Sequence, residues 1–123
     1  MGFVTYSPSG KAGFLGVQQA TMQTHGLTSE PVAREMAEGA LKQNAVRADV
    51  AVANTGVADA APSGGPPPGT QCFAWAYRLR GGGITTFTET RRFSGGRNEI
   101  RRQAARYALS RVEHYFNALG AHR

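Results

Sequence analysis

The spacing of apolar residues predicts two amphipathic helices, one in the first half of the chain and one near its end. Ser29 is a favourable N-cap residue, and Val32, Met36 and Ala40 follow it at the interval of a helical stripe. The second helix is predicted over residues 97–119, with a glycine directly after it as a stop signal. Its apolar stripe comprises Ile100, Ala104, Ala108, Val112, Tyr115, Phe116 and Leu119.

Four other segments have the composition of β-strands. Residues 2–6 are β-branched and aromatic, whereas residues 49–54 are apolar on both faces, as in a central strand that helices cover on both sides. Residues 72–79 alternate between large and small apolar side chains. The glycines at 81–83 then turn the chain, so the threonine-rich residues 84–93 are expected to return antiparallel to that strand.

The alternation in residues 72–79 sorts the side chains by size onto two faces of the strand. The large residues are Phe73, Trp75, Tyr77 and Leu79. The small ones, which let a helix approach closely, are Cys72, Ala74 and Ala76. The order of elements is strand, helices, strand, loop, hairpin and helix. This order predicts the α/β class, and within it a three-layer α/β/α sandwich with a mixed sheet.

Length and composition indicate one domain over residues 1–123. A chain of 123 residues buries an adequate core without disulfides or a structural metal. It has a single cysteine, no apolar run long enough to span a bilayer, and no signal-peptide features in its first six residues. We therefore expect a protein of the reducing cytoplasm without membrane contact. Residues 58–69 are rich in glycine and proline and predict a long loop, a kind that is often functional.

The positive net charge of the chain favours ligands that carry phosphate groups. The formal net charge is +6, and Lys11 and Lys42 are the only lysines among 14 basic residues. The planar arginine side chain pairs well with phosphate groups, so nucleic acid must also be considered. However, the arginines crowd the last third of the chain, several on the outer side of the predicted helix, and no nucleic-acid recognition motif accompanies them. A solvated helix face is the preferred interpretation, and nucleic-acid binding is disfavoured.

Several familiar site chemistries do not fit the sequence. The run Ser9, Gly10 and Lys11 is not a phosphate loop, because Thr5 stands where that motif needs glycine and Ala12 where it needs serine or threonine. Cys72 lies within a strand, where an inert core thiol is expected. No metal-ligand spacing links the histidines, which are His25, His114 and His122. No metal or cofactor is predicted.

Tyr6 and Lys11 remain as the candidate chemical groups. They lie at the end of a predicted strand and the start of a predicted helix, where ligands of open α/β sheets bind. A lysine in apolar surroundings can lose its proton and act as a base for a hydroxyl nucleophile. A lysine after a strand is more often an ordinary surface residue, so this pair alone does not establish a site.

A series of short segments, in order along nearly the whole chain, resembles the CinA C-terminal domain family, which includes nicotinamide-nucleotide amidohydrolases. Each segment is weak alone, but the set is specific. The segments are GFVTYS at 2–7 with Lys11, FLGV at 14–17, HG at 25–26, SE at 29–30, MAEG at 36–39, TGVA at 55–58, Pro67 with GT at 69–70, and Phe93, Gly95 and Arg97.

This resemblance implies a reaction and a set of site residues. The family removes the amide of nicotinamide mononucleotide, giving nicotinic acid mononucleotide and ammonia, with a serine nucleophile, a lysine and a tyrosine and without a metal. Lys11 would then activate the serine hydroxyl, and Tyr6 would relay a proton or hold the lysine. The substrate-binding residues that the resemblance implies are Thr55, Gly56, Ala58, Gly69 and Arg97.

The sequence also departs from the family pattern. The family's serine belongs to an ESCTGG motif on a βα unit before the position of Gly2, and that motif is not among the 123 residues. We therefore expect a domain truncated relative to the family, with impaired catalysis and an open sheet edge that a second copy covers in a homo-oligomer. Asp59, Ala60, Pro66 and Gly96 also replace the usual residues of the loop and the last helix cap. The alternative is a non-catalytic relative that binds a nucleotide or serves as an oligomerisation module.

Overall fold

The computed structural model describes residues 16–43, 48–57 and 65–120, which form three helices and three strands. The helices are α1 (Gln19–His25), α2 (Glu30–Leu41) and α3 (Arg97–Ala118). The strands are β1 (Val50–Gly56), β2 (Thr70–Arg78) and β3 (Ile84–Arg92). The two predicted amphipathic helices and the predicted antiparallel hairpin are confirmed within a residue or two of their expected bounds.

The three strands form an antiparallel sheet in the order β1-β2-β3. Among the described strands β2 lies between β1 and β3, so the prediction that residues 49–54 form a central strand stays a prediction. Val52 of β1 is 38% exposed, whereas Trp75 beside it on β2 is fully buried. The predicted strand at residues 2–6 lies outside the described residues, so the mixed character of the sheet stays a prediction.

Helices cover both faces of this sheet, which confirms the α/β class and the layered arrangement. The small side chains of β2 face α2, where Ala33 and Ala74 are fully buried in one core cluster. The large ones face α3, and Trp75 and Tyr77 donate side-chain hydrogen bonds to carbonyls of that helix. The alternation of large and small side chains along β2 therefore divides the core into one cluster on each face of the sheet.

Local sequence explains where the two long helices begin. The Ser29 hydroxyl accepts a hydrogen bond from the Val32 amide at 3.4 Å and donates one to the Gly26 carbonyl at 2.9 Å. This side-chain cap satisfies one of the free donors of the first turn of α2. At α3 the capping position is Gly96, which offers no side chain to the helix. The amide groups of that first turn therefore have no side-chain acceptor from the cap residue.

The apolar stripe of α3 is confirmed except at one position. Ile100, Ala104 and Ala108 are buried, but Phe116 is 41% exposed. Phe116 lies one residue, or about 100° around the helix, from Tyr115, which packs on the sheet and leaves Phe116 at the margin of the contact. No helix in the described part of the chain is both long and apolar enough to cross a membrane.

Candidate functional site

One end of the sheet, which we call the Thr55 end, contains the last residues of β1 and β3 and the first residues of β2. The helices α2 and α3 also begin there. Gly56, the last residue of β1, pairs with Gln71 near the start of β2, and Thr70 pairs with Arg92, the last residue of β3. Backbone hydrogen bonds join the connecting segments, from Val57 to Thr70 at 3.0 Å and from Phe93 to Gly69 at 3.0 Å. Segments far apart in sequence therefore build this end together.

Thr55 holds the entry to α2 against β1. Its side chain is 8% exposed, and its hydroxyl donates to the Leu27 carbonyl at 3.0 Å. A buried hydroxyl needs such a partner. In the described structure, Thr55 therefore fixes the turn between α1 and α2 beside the Thr55 end, and its donor is already used.

Two predicted site glycines, Gly56 and Gly69, lie in close contact with neighbouring segments. A Cβ at Gly56 would lie 2.1 Å from the Gln71 amide nitrogen, so the amide of Gln71 rests directly on the Gly56 backbone. Gly69 has a φ of +86°, and a Cβ there would lie 2.0 Å from the Phe93 carbonyl oxygen. Only glycine permits both the backbone angle and this close approach.

The structure places Thr55, Gly56 and Gly69, three of the predicted substrate-binding residues, at one end of the sheet, and their binding role stays a prediction. Arg97 is the first residue of α3, four residues after the segment that pairs with Gly69, so it belongs to the same end. The remaining predicted site residues, Tyr6, Lys11 and Ala58, lie outside the described residues. The proposed catalytic pair therefore remains a prediction.

A hollow of about 620 Å³ between β1 and α3 was not predicted from the sequence. We call it the β1–α3 hollow; it is lined by Asn54, Gln71, Asn98, Arg101, Arg102 and Ala105. The four residues from α3 have the spacing of one helix face, which was a visible signal. That face had been interpreted as solvated, because only the docking of α3 on the sheet shows that it borders a cavity.

Gln71 is the unusual member of this lining. Its side chain is 6% exposed, and within residues 16–43, 48–57 and 65–120 its amide has no hydrogen-bond partner. Buried amides in folded proteins nearly always have one. Gly56 lies against one side of it, and Arg91, its cross-strand neighbour on β3, is held by Glu89. The open direction for this amide is the hollow.

A second polar cluster lies between β3 and α3. The Glu89 carboxylate accepts hydrogen bonds from the hydroxyls of Tyr107 and Tyr115, from Arg91 at 3.0 Å and from Arg111 at 3.2 Å. Burial alone raises the pKa of Glu89, but these four hydrogen bonds together lower it from 4.5 to about 2. Both oxygens of the Glu89 carboxylate accept hydrogen bonds from protein side chains. Because three of these donors belong to α3, the cluster stabilises the packing of α3 on the sheet.

Another hollow, of about 840 Å³, lies at the opposite end of the sheet. It is bordered by the start of β1 and the end of α3, including Asp49, Arg80 and Phe116. None of the predicted site residues that the structure describes, which are Thr55, Gly56, Gly69 and Arg97, lines it. The β1–α3 hollow, although smaller, adjoins the Thr55 end and is the stronger candidate.

Comparisons with known proteins identify close relatives. Residues 1–116 match the model of the CinA C-terminal domain. Nicotinamide-nucleotide amidohydrolase PncC of Escherichia coli is 49% identical over 118 residues, which are 94% of this chain and 67% of that protein. A CinA-like protein of Mycobacterium avium is 43% identical over 111 residues, which are 88% of this chain and 25% of that protein. The chain thus spans between about a quarter and two thirds of these relatives.

The fold is also found among solved structures. The crystal structure of competence damage-inducible protein A from Klebsiella pneumoniae superposes with a TM-score of 0.77 at 34% identity, covering 92% of this chain and 66% of that one. A protein from Agrobacterium tumefaciens, titled competence/damage inducible protein CihA, superposes with a TM-score of 0.71 at 38% identity. It covers 89% of this chain and 64% of that one.

Proposed function

We propose a function from the premise that the chain belongs to the CinA C-terminal domain family. The domain binds nicotinamide mononucleotide and takes part in hydrolysis of its amide, a step of NAD salvage in the cytoplasm that yields nicotinic acid mononucleotide and ammonia. The observation that carries this proposal is the 49% identity to nicotinamide-nucleotide amidohydrolase PncC of Escherichia coli.

The geometry of the Thr55 end supports this proposal. Thr55, Gly56 and Gly69 lie together where β1 and β3 end and β2 begins, and α2 and α3 both begin there. Ligands of open α/β sheets bind outside the carboxyl ends of the strands, which here are those of β1 and β3. Helix N-termini attract negative groups such as phosphates. A mononucleotide with one phosphate group suits such a place.

The proposed chemistry is acyl transfer through a serine ester. The serine oxygen adds to the carboxamide carbon while Lys11 takes the hydroxyl proton, with Tyr6 holding or relaying it. That proton passes to the amide nitrogen, the tetrahedral intermediate collapses, and ammonia leaves. Water then hydrolyses the ester, which restores the serine and releases nicotinic acid mononucleotide.

The serine of this scheme belongs to an ESCTGG motif that the 123 residues do not contain. We therefore expect this chain alone to be slower than a version carrying that motif by roughly 10³-fold or more. Lys11 and Tyr6 would still be needed in the longer version, because they act on the serine.

An assay of ammonia release from nicotinamide mononucleotide tests the proposal. The chain is assayed alone and fused behind a family segment that carries the ESCTGG motif, each with and without Lys11→Ala. We expect the fusion to release ammonia and Lys11→Ala to lower its rate by about 10²-fold or more. Lys42→Ala, at the exposed end of α2, is the matched control and should leave the rate unchanged. An active fusion that keeps its rate with Lys11→Ala would contradict the assigned role.

A second candidate is a non-catalytic relative that binds a nucleotide or assembles into a homo-oligomer. The replaced loop residues Asp59, Ala60 and Pro66 favour it. Nucleotide binding without ammonia release, even in the fusion, would support this alternative. Sedimentation at several protein concentrations would measure the assembly independently of turnover.

A further inference from the structure

We infer that the β1–α3 hollow binds a phosphate group through Arg101, Arg102 and the buried amide of Gln71. The identification of that phosphate as the one on nicotinamide mononucleotide rests on the proposed function, whereas the phosphate site itself does not. The hollow has about 620 Å³, which is ample for a phosphate and part of its ribose.

The first argument is the unsatisfied amide of Gln71. Gln71 is 6% exposed, and its side chain lies against Gly56 and has no hydrogen-bond partner among the described residues. A buried amide without a partner destabilises the folded state, and such exceptions in proteins call for an explanation. A ligand oxygen in the hollow would accept a hydrogen bond from the amide and remove this deficit.

The second argument is the charge of the lining. Arg101 and Arg102 both border the hollow, and among the described residues no acidic side chain lines it and neither arginine forms an ion pair. Asn54 and Asn98 add further hydrogen-bond donors. Arginine presents paired hydrogen-bond donors to phosphate oxygens. Two arginines beside a buried amide therefore favour an anion, and their positive charge disfavours a cation.

The third argument is the start of α3. Asn98, in its first turn, borders the hollow, and the capping residue Gly96 supplies no side-chain acceptor. The free amide groups and the helix dipole therefore add positive potential beside the arginines. This third feature agrees with the other two, which stand without it.

The test measures binding by isothermal titration calorimetry with three probes, which are nicotinamide mononucleotide, the riboside that lacks the phosphate, and inorganic phosphate. Loss of one charged hydrogen-bond partner typically weakens binding by about 10- to 100-fold. We expect a combined Arg101→Gln and Arg102→Gln variant to lose about that much affinity for the mononucleotide and for phosphate, with riboside binding unchanged. Arg106→Gln, which removes the same charge from α3 outside the hollow, is the control and should bind like wild type.

Gln71→Leu separates a ligand contact from a structural role. Because the amide has no partner within the described residues, we expect this variant to melt at the same temperature as wild type or higher while its affinity for phosphate falls about tenfold. Unchanged affinity would overturn the role of Gln71. Circular dichroism of each variant verifies that it is folded.

The remaining outcomes distinguish this inference from the proposed function. If phosphate binds wild type and the double variant alike, or binds neither, the inference is overturned whatever the amidase assay gives. Phosphate-dependent binding that the double variant loses supports the site even if no ammonia is released. A single-stranded oligonucleotide that binds more tightly than the mononucleotide, and loses equal affinity with Arg106→Gln, would instead indicate nucleic acid and overturn the inference.

Discussion

Gly56 and Gly69 meet different neighbours, although both are glycines at the same end of the sheet. At Gly56 the obstacle to a Cβ is the mobile end of the Gln71 side chain. At Gly69 it is the Phe93 backbone, combined with a positive φ. A side chain can rotate away, whereas backbone held in a sheet cannot.

This contrast gives a matched pair of predictions. Gly69→Ala should lower the free energy of unfolding by about 2 to 4 kcal/mol, because it combines backbone strain with a backbone clash. Gly56→Ala should cost less than about 1 kcal/mol, because Gln71 moves aside. Urea denaturation measures both, and equal losses would show that the two sites are held in the same way.

Glu89 gives the protein a specific response to acid. Its folded-state pKa of about 2 lies below the ordinary value of 4.5, so the carboxylate stabilises the fold above about pH 4.5. This stabilisation is lost progressively as the pH falls through 4.5 towards 2. The side chain is 11% exposed, so screening by water is modest, and the shift corresponds to at most about 3 kcal/mol.

Unfolding in urea between about pH 6 and about pH 2.5 tests this response. Wild type should lose about 2 to 3 kcal/mol more over that range than Glu89→Gln, which has no carboxylate to protonate. Glu113→Gln, at an exposed position on α3, is the control and should follow the wild-type curve. A Glu89→Gln curve parallel to wild type would rule out this carboxylate as the source.

At the scale of elements, α3 is held to β2 by hydrogen bonds as well as by apolar packing. The Trp75 indole donates to the Ala108 carbonyl at 2.8 Å, and the Tyr77 hydroxyl donates to the Val112 carbonyl at 2.6 Å. The two acceptors are four residues apart on α3, so these bonds fix the helix in both position and rotation.

Tyr77→Phe should therefore lower the free energy of unfolding by about 1 to 2 kcal/mol, because it removes one buried hydrogen bond and leaves the ring in place. Leu109→Ala, at a position 72% exposed on the same helix, should change it by less than about 0.5 kcal/mol. Denaturant titration of both variants checks the prediction. A Tyr77→Phe protein as stable as wild type would show that the hydroxyl contributes nothing.

The elements also show what sequence reasoning can reach. The faces of β2 were predictable because alternation is a local property, and Ser29 was recognisable because capping needs only a few neighbours. The order β1-β2-β3 of the described strands was not, because strand order depends on pairing between distant segments. A run such as residues 49–54 is equally apolar in an outer or a central strand.

The same limit applies to the site at the scale of the whole molecule. The TGVA and GT segments predicted that Thr55, Gly56 and Gly69 lie together, since a family pattern carries the tertiary arrangement with it. The β1–α3 hollow was missed although its α3 residues have helical spacing, because a helix face bordering a cavity and one facing water have the same composition. That the Gln71 amide has no hydrogen-bond partner among the described residues becomes visible only when the partner of each buried donor there is assigned.

The two ends of the sheet differ in how well they tolerate substitution and insertion of residues. The turn between β2 and β3 contains Gly81, Gly82 and Gly83, all exposed, and a Cβ at any of them would meet nothing within 4 Å. Exposed turn tips of this kind accept inserted sequence. An affinity tag or a fluorescent reporter placed at Gly82 would leave the far end of the sheet untouched, so immobilised or labelled protein can serve for ligand screening without a linker at either terminus.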